Sequence, residues 1–246
     1  MKSFKQFIIE TLAIFIGLLA SFSVERCNLK NENIQNTNDS ILTLVQEINS
    51  NIDYCEEHLK QLKNMKKVNQ ELLKNFKTFS KSDLIKLHKK YPFGHSYNIN
   101  GSVSYWNTEA NYNNLYQWMI TWWNTWAPEN IYFQSLINSG NLVLIKNHIV
   151  RKEIESVYTT RKERVLVNLT LLKENSDKIR AWAEEKRNNS ASTITRESVY
   201  DQLKDNKLKN LLEDRDYHVG LRVMSVENYI KSLKNLRKLI DENYGE

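Results

Sequence analysis

Cys55 and His58 come nearest, by type and spacing, to a metal site in this chain. Three apart on a helix they share a face, and a thiolate beside an imidazole suits zinc. Two further donors at helical spacing are needed, and the flanking sequence supplies none. The residues three before the five histidines are Cys55, Ile85, Pro92, Ile145 and Arg215, so the Glu-x-x-His pairs of a di-iron bundle are excluded. His-Glu-x-x-His, a phosphate loop ending in Gly-Lys-Ser or Gly-Lys-Thr, and Gly-x-Ser-x-Gly are absent as well. His88 and His95 flank Pro92 and read as loop residues. No catalytic, cofactor-binding or metal-ligating set is assigned, and no cofactor is expected. The chain reads as non-enzymatic.

Glu10 is a candidate of another kind. It lies in Phe7 to Val24, FIIETLAIFIGLLASFSV, the one long apolar run. At about 1.5 Å per residue this run is roughly 27 Å long, the thickness of a bilayer's hydrocarbon core. It reads as a single membrane-spanning helix. An ionisable group there points to a proton relay or a partner-helix contact, and the plainer alternative is a carboxyl that reaches the headgroups. Ala13, Gly17 and Ser21 form a small-xxx-small run that lets two membrane helices approach, and Glu10 lies on that side. Glu10, Ala13, Gly17 and Ser21 are therefore the expected membrane-helix association face. A cleaved signal peptide is the rival reading, with Lys2 and Lys5 as its basic region. The length of the run and Glu10 argue against it. Residues 1–27 are thus expected to be a transmembrane anchor and residues 28–246 a helical extramembrane domain. Lys2 and Lys5 before the span nearly balance Arg26 and Lys30 after it. The expected orientation is a cytoplasmic N-terminus with the larger part outside the inner membrane.

The elements that must carry these residues are helical. Six Gly and two Pro in 246 residues leave few breakers, so the expected class is all-α, a long N-terminal helix packed with later helices as a bundle. The 35 basic residues are interleaved with 29 acidic ones for a net charge of +6, without the clustered basic and aromatic face that nucleic acid requires. Val24, Asn31, Asn38, Val45, Ile52 and Leu59 form one heptad series, and Cys27, Ile34, Ile41, Ile48, Cys55 and Leu62 the other. The pattern weakens at Lys66 and Asn69, which suggests a register shift. One helix to about Phe76 follows. Its seam is covered either by later helices of the same chain or by a second copy in a parallel dimer. A flexible linker over residues 28–40, with Asn38-Asp39-Ser40 capping a fresh helix, is the competing reading. An unbroken helix sets Cys27 and Cys55 about 42 Å apart, too far to pair within one chain.

Ser82 to Lys90 reads as a short helix stopped by Tyr91-Pro92, with a loop from Phe93 to Val103. Tyr105, Trp106, Tyr112, Tyr116, Trp118, Trp122, Trp123 and Trp126 follow, the aromatic concentration of the chain. Leu115, Trp118, Met119, Trp122 and Trp126 fall at helical spacing, and Trp123 points away from them. Trp118, Trp122, Trp123 and Trp126 are the candidate surface for lipid or glycan, core packing being the alternative. Pro128 is expected to open the next helix and Gly140 to end it. Leu142 to Ile145 is an apolar link, and an amphipathic helix runs from about His148 to Lys186. After a polar loop from Asn188 to Thr195, two helices are expected, about Arg196–Glu213 and Asp216–Asn243.

Two stretches carry a resemblance. Glu10-x6-Gly17, with Ile16 before the glycine and the polar end Glu25-Arg26, is similar to the anchor of an uncharacterised family of bacterial single-pass membrane proteins. Ser139-Gly140-Asn141-Leu142-x-x-Ile145-x-Asn147, followed by Arg151, Ile154 and Tyr158, looks like that family's central turn. Cys27 stands where the family has tryptophan, and the Trp-rich helix has no counterpart in it. The resemblance implies a membrane-anchored helical protein and supplies no active site. Taken together, the expectation is a scaffold or sensor of the bacterial envelope that partners membrane lipid and either itself or another membrane protein. The alternatives are a lipid- or glycan-binding module, or an accessory subunit of a membrane complex acting through Glu10.

Overall fold

The structure is a computed structural model that describes residues 4–97, 101, 103–104, 114–190, 194–202 and 204–245. Of residues 4–13, 30, 31, 33, 96, 97, 103, 104 and 117 it describes the backbone alone. The chain is all-α apart from a two-residue antiparallel ladder, β1 (Ser96–Tyr97) with β2 (Val103–Ser104).

Helix α1 (Phe4–Lys74) is continuous over 71 residues, roughly 105 Å. The flexible-linker reading of residues 28–40 is overturned, and the capping reading of Asn38-Asp39-Ser40 with it. Buried side chains begin at Thr37 and recur as Ile41, Leu44, Ile48, Asn51, Cys55, His58, Leu62, Met65, Asn69 and Leu72. That is an unbroken alternation of four and three, so no register shift occurs at Lys66 or Asn69. The expected series Ile41, Ile48, Cys55, Leu62 holds. Its companion runs through Leu44, Asn51, His58 and Met65, one residue ahead of Val45, Ile52 and Leu59, which flank it. Polar residues at the true seam hid it from an apolar count.

The seam is covered by the same chain. α9 (Asn206–Tyr244) lies antiparallel to α1: Asn69 Nδ2 donates to Leu212 O (2.9 Å), and Lys234 meets Glu56 (2.5 Å). Two helices were expected over this region with a break near residue 214. One helix runs through, preceded by the single turn α8 (Val199–Gln202). Its buried series is Leu208, Arg215, Arg222, Tyr229, Leu236 with Leu212, Val219, Val226, Leu233, Ile240, again a heptad. The other flank of α9 is taken by the helix from His148 to Asn188, which runs as α6 (His148–Ser156), a π-turn (Val157–Arg161) and α7 (Lys162–Asn188). Asn175 Nδ2 donates to Leu211 O (3.0 Å), and Lys207 pairs with Glu185 (2.7 Å), so this helix is also antiparallel to α9. Its periodic apolar residues Val150, Ile154, Val157, Val165, Leu172, Ile179 and Trp182 are buried, and Leu169 is half-buried.

Between α1 and α7, on the inner face of α9, a fourth helix would complete a bundle. Broken chain fills that place. α2 (Lys81–Lys90), with its Ser80–Asp83 capping box, leads to His88, which is in the helix and buried rather than in a loop. α3 (Leu115–Thr121) stops at Trp122, residues 122–130 are non-helical, and α4 (Ile131–Asn138) begins three residues after Pro128 instead of at it. Gly140 ends α4 in the left-handed region (φ 75°), as expected, and α5 (Asn141–Leu144) makes a turn of helix where a link was expected. Tyr105, Trp106 and Tyr112 lie outside the described residues.

Residues 14–29 of α1 are exposed without exception, Ile14, Phe15, Ile16, Leu18, Leu19, Phe22 and Val24 among them. Among the described residues no helix is long and apolar enough to cross a membrane. Phe7 to Ala13, the first part of the apolar run, have side chains outside that set.

Gly94 is a point where packing leaves no choice. Its φ is +86°, and a Cβ there would sit 1.7 Å from the Trp118 ring. Gly94→Ala is expected to cost about 2–3 kcal/mol from backbone strain and overpacking. Urea unfolding of the full chain in mild detergent measures it.

Candidate binding site around the tryptophan segment

Residues 122–130 are non-helical chain in the middle of a helical bundle, so their backbone groups need partners that no helix of their own provides. α1 provides them along one edge, a polar residue at nearly every turn. Glu47 Oε2 accepts from Tyr132 N–H (2.7 Å) at the start of α4, where a carboxylate suits the helix dipole. Asn51 makes both bonds to the Glu129 backbone, donating to its carbonyl (2.9 Å) and accepting from its N–H (2.7 Å). Tyr54 Oη accepts from Ala127 N–H (2.9 Å). Further along, Gln61 Oε1 accepts from Gly94 N–H (3.0 Å), and Asn64 Nδ2 donates to Pro92 O (2.7 Å).

α9 and α7 supply arginines from the other side. Arg180 donates to Thr121 O (3.3 Å), Arg215 to Trp122 O, and Arg222 to both Trp123 O and Asn124 O. These carbonyls close the C-terminus of α3, where cations are favoured. Arg215 and Arg222 are fully buried and form no ion pair among the described residues. Arg215 also reaches Ser176 Oγ (3.0 Å). Burial pulls both guanidiniums down to about 9, which leaves them charged at neutral pH.

Arg222 Nη2 also meets His58 Nε2 (2.8 Å), and the Asn124 amide faces His58 Nδ1 (3.1 Å). A guanidinium can only donate, so Nε2 presents its lone pair and Nδ1 carries the proton. The amide facing Nδ1 must then present its oxygen. Burial, and next the Arg222 charge, push the His58 pKa well down and keep the ring neutral. Cys55 and His58 have different surroundings: burial pushes the Cys55 thiol up to about 12, with the Trp126 indole and Lys162 beside it. Cys55 is a buried free thiol and Cys27 an exposed one.

The four candidate tryptophans separate. Trp126 is buried, edge-on to Tyr229 with ring centroids 5.2 Å apart, and leaves the surface set. Trp118, Trp122 and Trp123 are half-buried. Trp118 stacks on Phe93 at 5.2 Å and on Trp122 at 5.6 Å, and Lys173 Nζ lies 5.8 Å from the Trp123 ring centre. Together with Thr121, Arg180 and Arg196 they line an open cleft of about 370 Å³. The tryptophan spacing was legible in sequence. The arginines were not singled out, although Arg215 and Arg222, seven apart within an apolar heptad, were the available signal.

In the N-terminal set, Gly17 and Ser21 are exposed, Ser21 Oγ donates to Gly17 O (3.0 Å), and a Cβ at Gly17 would meet nothing within 4 Å. The side chains of Glu10 and Ala13 lie outside the described residues. A comparison with protein-family models, curated proteins and solved structures finds no match. The resemblance of residues 10–17 and 139–158 therefore rests on those short motifs alone.

Arg222→Met, which keeps the length and removes the donors, is expected to cost about 3 kcal/mol by stranding two buried carbonyls. Denaturant unfolding tests it. The folded His58 pKa is depressed, so its contribution to stability is complete above the unfolded value of about 6.5 and is lost as pH falls below it. Stability should decline from pH 7 to 5, and less so in His58→Gln.

Proposed function

We propose that this chain is a membrane-anchored, non-enzymatic helical scaffold or sensor of the bacterial envelope, held by residues 7–24 with its bundle outside the inner membrane. One observation carries the reading: α1 runs without a break from an apolar segment, exposed at each of residues 14–24, into the seam of the bundle. Exposed apolar side chains of this size and number, uncovered by any of the described residues, call for a nonaqueous surrounding or a partner. Ile14, Phe15, Leu18, Leu19 and Phe22 share one side of the helix, which suits lipid. Ala13, Gly17 and Ser21 recur every four residues, the small-residue run that suits close approach of a second helix. From Val24 to Thr37 the helix continues for about 20 Å with polar residues dominant, a stalk between the apolar segment and the bundle. Displacement of the span would thereby reach the bundle through one rigid rod, as a sensor requires.

A second reading is favoured by the cleft: a module that binds a glycan or lipid headgroup against Trp118, Trp122 and Trp123. It is compatible with the first, since the anchor places the cleft and the cleft gives the scaffold something to hold.

The full-length protein is expected in the detergent-rich phase after temperature-induced phase separation, and recovery in the aqueous phase would sink the anchor. In membranes, oxidative crosslinking through the exposed Cys27 is expected to give a disulfide-linked dimer. Gly17→Leu should reduce the dimer several-fold; an undiminished yield counts against association through that face.

A further inference from the structure

The cleft beside α3 carries a more specific assignment, which rests on the second reading above. Its aromatic wall is built in depth. Buried Phe93 lies 5.2 Å from Trp118, the two rings 11° from parallel, and 5.4 Å from Trp122, which is itself 5.6 Å from Trp118. The backbone of the wall is pinned by buried arginines at Trp122 O, Trp123 O and Asn124 O, so the rings are held before anything arrives. A flat apolar wall of this kind accepts the C–H face of a sugar ring.

The charged residues that line it are both basic. Arg180 and Arg196 line the cleft, and Lys173 stands over Trp123. Asp177 is the acid that pairs with Arg180 (2.7 Å). That pair and the bond to Thr121 O occupy only part of the Arg180 fork, leaving further N–H groups for another acceptor. The volume of about 370 Å³ is at the small end of ligand sites, enough for one or two rings. We propose that this cleft binds a sugar bearing an anionic group, the ring against Trp118, Trp122 and Trp123 and the anion at Arg180 and Arg196. A uronic-acid saccharide and a sugar phosphate share that chemistry.

Intrinsic fluorescence of the full-length protein in detergent micelles, titrated with trigalacturonate, glucose 6-phosphate and maltotriose, tests it. Trigalacturonate or glucose 6-phosphate should shift the tryptophan emission saturably, at least tenfold more tightly than maltotriose, and whichever binds identifies the source of the anion. Arg196→Gln should weaken that binding about tenfold with an unchanged melting temperature, and raising salt should weaken it in the parent. Trp123→Leu should abolish it. Equal affinity for maltotriose, or no effect of Arg196→Gln, overturns the anionic assignment and leaves a neutral-glycan cleft. Failure of all three sugars removes the assignment together with the glycan form of the second reading.

Discussion

A stretch of non-helical backbone inside a helical bundle is the constraint that organises this molecule. Helices satisfy their own amides, and residues 122–130 cannot. Each group they bury needs a side-chain partner at the right height, or folding loses what the surrounding apolar contacts gain. The solution is two-sided. α1 presents Glu47, Asn51 and Tyr54 in a rising series that meets residues 132, 129 and 127 in falling order. α9 presents Arg215 and Arg222, one heptad apart, to the carbonyls of 122–124. Asn51 and His58 on α1 and Arg215 and Arg222 on α9 thus occupy seam positions because the fourth place in the bundle is not a helix.

That same substitution explains which features could be read from the sequence. The long helices α1 and His148–Asn188 were legible because their apolar periodicity is sustained, and Gly140 because a left-handed residue was needed after α4. The seam of α1 lies one residue before the apolar series Val45, Ile52 and Leu59, because polar Asn51 and His58 occupy it. The tryptophan stripe was read as a continuous helix because residues 115, 118, 119, 122 and 126 do fall at helical spacing. What ends α3 is tertiary: the positive φ of Asn124 and a set of donors delivered from about ninety residues away. The break expected near residue 214 failed for the converse reason. Asp214, Arg215 and Asp216 look like a polar interruption, yet Arg215 faces inward and the heptad passes through it.

The candidate site inherits its character from this arrangement. A tryptophan pair on a free helix would tilt and splay. Here the carbonyls behind Trp122 and Trp123 are fixed, and a stacked phenylalanine backs Trp118. Arg215 and Arg222 hold the backbone of the wall from behind, while Arg180 and Arg196 carry the positive charge of the cleft, Arg180 also bonding the Thr121 carbonyl. Trp126, seemingly equivalent in sequence, is drawn inward to Tyr229 because the chain has already turned away from helical geometry.

The pairing of α1 with α9 joins the first helix of the chain to its last, with contacts between residues 143 to 178 positions apart. During biosynthesis the first helix emerges long before the segment that covers it. At common translation speeds the interval is on the order of ten seconds or more. For that time Leu44, Ile48, Leu62 and the orphaned amides along the same edge are open to chaperones and to neighbouring nascent chains. The order of the two elements leaves α1 open along one side until α9 has been made.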